Sequence, residues 1–274
     1  MMKEQDVISN LNIFSEKVFK VLEKELYEKL DNILNITPDI LGKEPLKYLF
    51  TEGEINGIII IANALILFYV LHYIITQIIS IYNGKSIENI YQFLIKIVII
   101  GILVNNSYFI CELILKIFNG ISNGIDIFCK GVVNKDITFT VLKNKIYDIN
   151  GIEKSDFISV EGILKSMISI GSVSLLITLS IRYVTIILLL LISPIAIIAL
   201  CSNFTSGFSK MWLKTLFINL SMQIFIKLII LIPIVYKDTK SSIYKVILLG
   251  SLYLLYKINS FIGNIFSKIS ERTR

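Results

Sequence analysis

Asn219, Gln223 and Lys227 recur at intervals of four inside an otherwise apolar run, so they share one face of a helix. Ser174, Thr178, Arg182 and Thr185 do the same in a second apolar run, spaced by four, four and three. The chemistry open to such stripes is hydrogen bonding and charge pairing where solvent supplies neither. A charge near a bilayer centre costs several kcal/mol unless it snorkels, pairs or faces water. Two stripes on neighbouring helices imply either a groove facing protein or water, or interhelical glue in which small polar residues satisfy one another. For Arg182 and Lys227 a role in a pathway or in assembly stands beside the glue.

No catalytic constellation accompanies these stripes, so no enzymatic activity is expected. The single histidine, His72, is too little for an intramembrane metalloprotease or a His-based triad, and no metal or cofactor site is expected. Ser172 and Ser174 lack a His or Lys at a telling spacing and do not form a nucleophile elbow. There is no phosphate-binding Gly-x-x-x-x-Gly-Lys-Ser/Thr, so the chain does not run on ATP by itself. Cys111, Cys129 and Cys201 form no C-x-x-C pair and read as small apolar residues in or near the membrane.

The elements that must position the stripes follow from hydropathy. The hydrophobic share is 54% and the charged share 18%, far from a soluble domain's balance. From Ile163 to Leu200 the only charges are Lys165 and Arg182, and spanning a bilayer takes about 20 apolar residues. Five spans are predicted: about Ile55–Tyr82, Tyr91–Phe118, Ile163–Leu200, Met211–Tyr236 and Ile243–Ile262. The third is long enough to be a tilted helix or a hairpin near Arg182. One long helix is preferred, because no turn signal lies there, with a kink at Pro194. Ahead of the spans, Leu11, Phe14, Val18, Leu22, Leu26, Leu30 and Ile33 make one stripe on an amphipathic helix that Thr37-Pro38 stops. Mixed charges on its polar face favour packing on protein over binding acidic lipid.

The fold class is thus all-α, a polytopic integral membrane helical bundle. Its predicted parts are an amphipathic N-terminal region 1–54, two spans in 55–118, a polar central loop 119–162, three spans in 163–262 and a basic tail 263–274. No cleaved leader is expected, since no apolar run of signal-peptide length precedes Ile55. From Lys165 onward basic residues face only Asp238 and Glu271, which suggests either anionic lipid, nucleic acid or an acidic partner for the C-terminal part, or a positive-inside anchor with no ligand. The basic tail, with Lys268, Arg272 and Arg274, favours a cytoplasmic C-terminus and an external N-terminus.

The segment Leu191-Ile192-Ser193-Pro194-Ile195-Ala196, followed by Thr205-Ser206-Gly207-Phe208-Ser209-Lys210-Met211-Trp212, resembles a motif of the TrbL-type family. That motif is a hydrophobic small-Pro-apolar-Ala segment, a Ser/Thr-rich turn and Phe-x-x-x-Trp. The family comprises polytopic inner-membrane subunits of bacterial type IV secretion and conjugation machines. Arg182 stands where the family often has an arginine, while Ser193 replaces a more usual Ala or Gly. The resemblance implies a non-catalytic channel or platform component that forms homo-oligomers. It also implies membrane lipid, other secretion subunits with separate ATPases, and translocating single-stranded DNA or protein as partners. Ser193, Pro194, Phe208 and Trp212 would be its motif and assembly residues, with Trp212 an interfacial anchor. The alternatives are a small-molecule or ion transporter, and a non-transporting scaffold or immunity protein.

Overall fold

Apolar helices of spanning length dominate the structure. The computed structural model describes residues 26–44, 46–47, 57–84, 89–147, 160–202, 205–236, 238 and 241–272, with backbone alone for 146–147, 160–170 and 267–272. Among the described residues every regular element is helical, so the protein is all-α. In chain order the helices are α1 (described over 26–34), α2 Gly57–Tyr82, α3 Ile90–Asn105, α4 Ser107–Val133, α5 Phe139–Tyr147, α6 Val160–Leu191, α7 Ser193–Ile198, α8 Ser206–Val235, α9 Ser242–Tyr256 and α10 Ile258–Arg272. Three stretches are long and apolar enough to cross a membrane: α2, Gly171–Leu191 of α6, and α8. The count becomes five if two bent pairs each act as one span. These are α3 with α4, bent by 65°, and α9 with Ile258–Phe266 of α10, bent by 69°.

The bend in the second expected span falls at its two asparagines. Asn105 Nδ2 donates to Gly101 O and Asn106 Nδ2 to Ile102 O, both at 2.8 Å. Side chains that bond the carbonyl one turn back compete with the helical ladder. The turn expected at Asn83-Gly84 is present: Gly84 has φ +63°, a conformation glycine adopts without a Cβ penalty. The third expected span is one continuous helix through Arg182, with no hairpin there. It breaks at Ile192, because Pro194 has no N–H to continue the ladder and α7 begins at Ser193.

The central segment departs most from expectation. It was expected as a loop from 119, yet α4 runs on to Val133 and α5 covers Phe139–Tyr147. The buried face of α4 there is Phe118, Ser122 and Cys129. Asn119, Gly120, Asn123, Gly124 and Asp126 lower the hydropathy there while the helix continues, so it outlasts its apolar signal.

Chain contacts divide the protein into two units. Unit 1 is Met1–Ile36, Phe118–Tyr183 and Leu220–Arg274; unit 2 is Thr37–Ile117 and Val184–Asn219. Within unit 1, Leu26, Tyr27, Leu30 and Leu34 of α1 are buried, so this part of the amphipathic stripe packs on protein. The rest of the expected stripe, Leu11, Phe14, Val18 and Leu22, lies outside the described residues. Asp31, on the same helix, caps α5: its carboxylate accepts from Phe139 N at 2.6 Å, Thr140 N at 3.2 Å and Thr140 Oγ1 at 2.7 Å. An anion at a helix N-terminus satisfies orphan N–H groups and opposes the macrodipole.

Burial pushes the Asp31 carboxyl above its ordinary value of 3.8, against hydrogen bonds from Thr140 and Phe139 that pull it down. The folded state therefore holds this proton more tightly than the unfolded chain. Stability falls as pH rises from 3.8 through the raised value. Asp31→Asn is expected to abolish that component. In detergent-solubilised protein, the melting temperature of the native chain relative to the variant should decline across this window. Parallel curves would contradict the assignment.

Within unit 2, Ala62 of α2, Ile100 and Val104 of α3, and Ile197, Ile198 and Cys201 at the end of the third span form one apolar core. Asn63 Nδ2 donates to Asn105 Oδ1 at 3.4 Å, a polar link between α2 and α3. Such neutral links in lipid average about 0.6 kcal/mol, so this one is minor glue.

Candidate functional site

The two sequence stripes meet in unit 1. Arg182 of α6 is 2% exposed, and Gln223 and Lys227 of α8 are 0% and 1% exposed. Arg182 Nη1 donates to Leu34 O at 3.0 Å, and Nη2 donates to Gln223 Oε1 at 3.1 Å. The same Oε1 accepts from Ile36 N at 3.1 Å. Leu34 is the last helical residue of α1, where carbonyls lack intrahelical partners. Arg182 thus caps a helix C-terminus, where a cation is favoured by the macrodipole. Two donors on Oε1 fix the amide's orientation, since the flipped form would set NH2 against the guanidinium. Gln223 Nε2 is buried and has no partner among the described residues.

One turn along α8, Lys227 Nζ pairs with Asp126 Oδ2 of α4 at 2.5 Å and lies 3.5 Å from Ser122 O. Ser122 Oγ in turn bonds Asn35 Oδ1 at 3.4 Å. The result is a continuous polar staple: the end of α1 is held by α6 and α8, and α8 is held by α4. Apolar side chains gain little from leaving lipid for protein, so directional bonds of this kind carry much of the specificity of helix association. Ten residues before Arg182 on α6, Ser172 Oγ donates to Tyr27 OH at 3.3 Å.

Not every stripe residue joins. Ser174 and Thr178 are half-buried, and among the described residues no hydrogen bond ties either to the staple. Thr185 and Asn219 belong to unit 2, and Asn219 Nδ2 donates to Thr215 O on its own helix at 2.9 Å. Sequence reasoning missed Asp126, because it was placed in a loop. The signal that would have found it is the spacing of Phe118, Ser122 and Cys129 along one helix face.

The motif residues form a second arrangement, inside unit 2. Ser193 is fully buried and Pro194 is buried, while Phe208 is exposed. Ile192 N still donates to Leu188 O at 3.1 Å. The next carbonyl along, Leu189 O, accepts the indole N–H of Trp212 at 2.8 Å. Trp212 is only 6% exposed. The indole thus caps a carbonyl of the helix that breaks before Pro194. Beyond the break, Thr205 Oγ1 donates to Ala199 O and Tyr69 OH to Cys201 O, both at 2.8 Å. These bonds satisfy the carbonyls of a 3-10 turn at Ala199–Cys201.

Among the described residues, no group of three or more His, Cys, Asp or Glu stands close enough to hold a metal ion, and the three cysteines are free and buried. No protein-family model matches the chain, and no curated protein and no solved structure matches it.

Proposed function

We propose that this chain is a non-catalytic channel or platform component of a type IV secretion machine, of the TrbL type, in a bacterial cytoplasmic membrane. The observation that carries the reading is the bond between Trp212 and Leu189. The two halves of the sequence motif, small-Pro-apolar-Ala and Phe-x-x-x-Trp, are one construction in space, with the break and its cap depending on each other. In this reading the construction fixes the turn between the third and fourth spans, where separate ATPases dock from the cytoplasm. The exposed apolar surface of α2, whose one buried residue is Ala62, supplies area for lipid and for neighbouring copies. The staple of unit 1 acts as glue that keeps each subunit's helices in register.

Deleting the chain from a donor strain should abolish conjugative transfer, and the plasmid-borne chain should restore it and co-purify with the ATPases of the machine. Undiminished transfer after deletion would leave the transporter and scaffold readings. We place the N-terminus outside and the C-terminus inside. An impermeant thiol reagent on intact cells is expected to label Asp148→Cys and spare Arg272→Cys, and the reverse pattern would overturn this orientation.

A further inference from the structure

Two clefts of unit 2 flank the first turns of α3 and share two residues. One, of about 600 Å³, has Tyr69, Tyr73, Asn89, Gln92, Lys96 and Ser202 in its lining. The other, of about 300 Å³, is lined by Gln92, Ile95, Lys96, Ile99 and Ile100. The first is polar, and the one charge among its described lining residues is Lys96. The second is apolar apart from the two residues the clefts share. A polar, cationic cleft joined to an apolar groove in a membrane protein has the chemistry of an amphiphile's head and tail. We propose that this is a binding site for one anionic glycerophospholipid. Its phosphate is held by Lys96 and Gln92, and an acyl chain lies along Ile95, Ile99 and Ile100.

Several features place the head on the polar side. Gln92 and Lys96 are four residues apart, so they share a helix face. Helical side chains tilt toward the N-terminus, which carries the Lys96 ammonium toward Gln92 and Asn89. Lys96 lies six residues beyond Ile90, about 9 Å along the axis by helical rise, within reach of the headgroup level by snorkelling. Asn89 caps α3 by accepting from Tyr91 N at 3.1 Å through its side-chain oxygen, which leaves its NH2 as a donor. The helix N-terminus adds its positive end. Tyr73 stacks on Phe93 at 3.5 Å, giving the cleft a rigid aromatic wall of the kind favoured at the membrane interface. With no acidic group among the described lining residues, a headgroup with net negative charge is preferred over a zwitterion.

The full-length protein in detergent micelles tests this by native mass spectrometry with three probes: dioleoylphosphatidylglycerol, dioleoylphosphatidylcholine and glycerol 3-phosphate. Phosphatidylglycerol should bind roughly fivefold more tightly than phosphatidylcholine, the effect of one interfacial lysine. Glycerol 3-phosphate should not bind. Lys96→Gln should remove the preference, while Lys210→Gln, a control at another exposed lysine, should retain it. Ile99→Trp, at an exposed position of the groove, should weaken both lipids together. Equal binding of the two lipids by the unmodified chain would overturn the proposal, as would an unaltered preference in Lys96→Gln. Undiminished binding by Ile99→Trp would remove the acyl groove. Glycerol 3-phosphate binding as tightly as the anionic lipid would make this a site for a free phosphate ester and overturn the lipid assignment.

Discussion

Asp126→Leu is expected to destabilise the protein by about 3 kcal/mol, the order of cost for a lysine left alone inside a span. Lys227 is buried and its carboxylate partner is the compensating charge. The reverse change, Lys227→Leu, should cost far less, about 1 kcal/mol, because the side chain of Asp126 is 27% exposed and keeps some hydration. Combining the two should recover most of the loss, since two apolar residues in lipid need no partner. A double-mutant cycle read by denaturant unfolding in mixed micelles should thus give a coupling of about 3 kcal/mol. Additive losses would mean that the ion pair does not hold α4 to α8.

The same double variant separates glue from pathway. If Lys227 and Asp126 only staple helices, a donor carrying both substitutions should transfer DNA at the native frequency with native protein abundance. A stable, abundant double variant that fails to transfer would instead place the pair in the path of the cargo. Lys227→Leu alone does not decide this, because it leaves a carboxylate stripped of its partner.

Which parts of this arrangement were legible in the sequence follows from the range of each interaction. Spacing along one helix put Arg182 on one face and Gln223 with Lys227 on another, and the structure joins those faces. It also gave the amphipathic stripe that buries Leu26 and Leu30. Spacing says nothing about partners far away in the chain. The carbonyl of Leu34 lies 148 positions from Arg182, and a main-chain acceptor leaves no residue type to read. Asp126 failed for a different reason: α4 continues through Asn119, Gly120, Asn123 and Gly124 where hydropathy falls, so a buried face looked like a loop. The bends at Asn106 and Lys257 were hidden because apolar runs on both sides merge into one window. The bond made by Trp212 was equally hidden, because an indole at the head of a span reads first as an interfacial anchor. Here the proline break upstream also offers it a carbonyl.

That carbonyl yields the sharpest test of the motif. Trp212→Phe removes the N–H together with the five-membered ring but keeps an aromatic ring in the site, so Leu189 O loses a buried hydrogen bond at a cost of about 1–3 kcal/mol. Trp212→Ala also empties the site, and the loss should rise to about 3–5 kcal/mol. Pro194→Ala restores an N–H and removes the ring that interrupts the ladder, which lets α6 run on through Ser193 toward Ala196. A continuous helix reclaims Leu189 O for the backbone of Ser193 and displaces the indole. The two changes should therefore be strongly non-additive: in the Pro194→Ala background, Trp212→Phe should cost almost nothing further. Thermal unfolding of all four proteins measures the cycle, and indole fluorescence reports whether Trp212 has left its buried place. Transfer frequency in matched donors gives the functional side. Pro194→Ala should abolish transfer at normal abundance, because the turn into α8 has lost its geometry. Additive unfolding losses, with native transfer from Pro194→Ala, would mean that the break and the cap are independent and that the motif has no role in assembly.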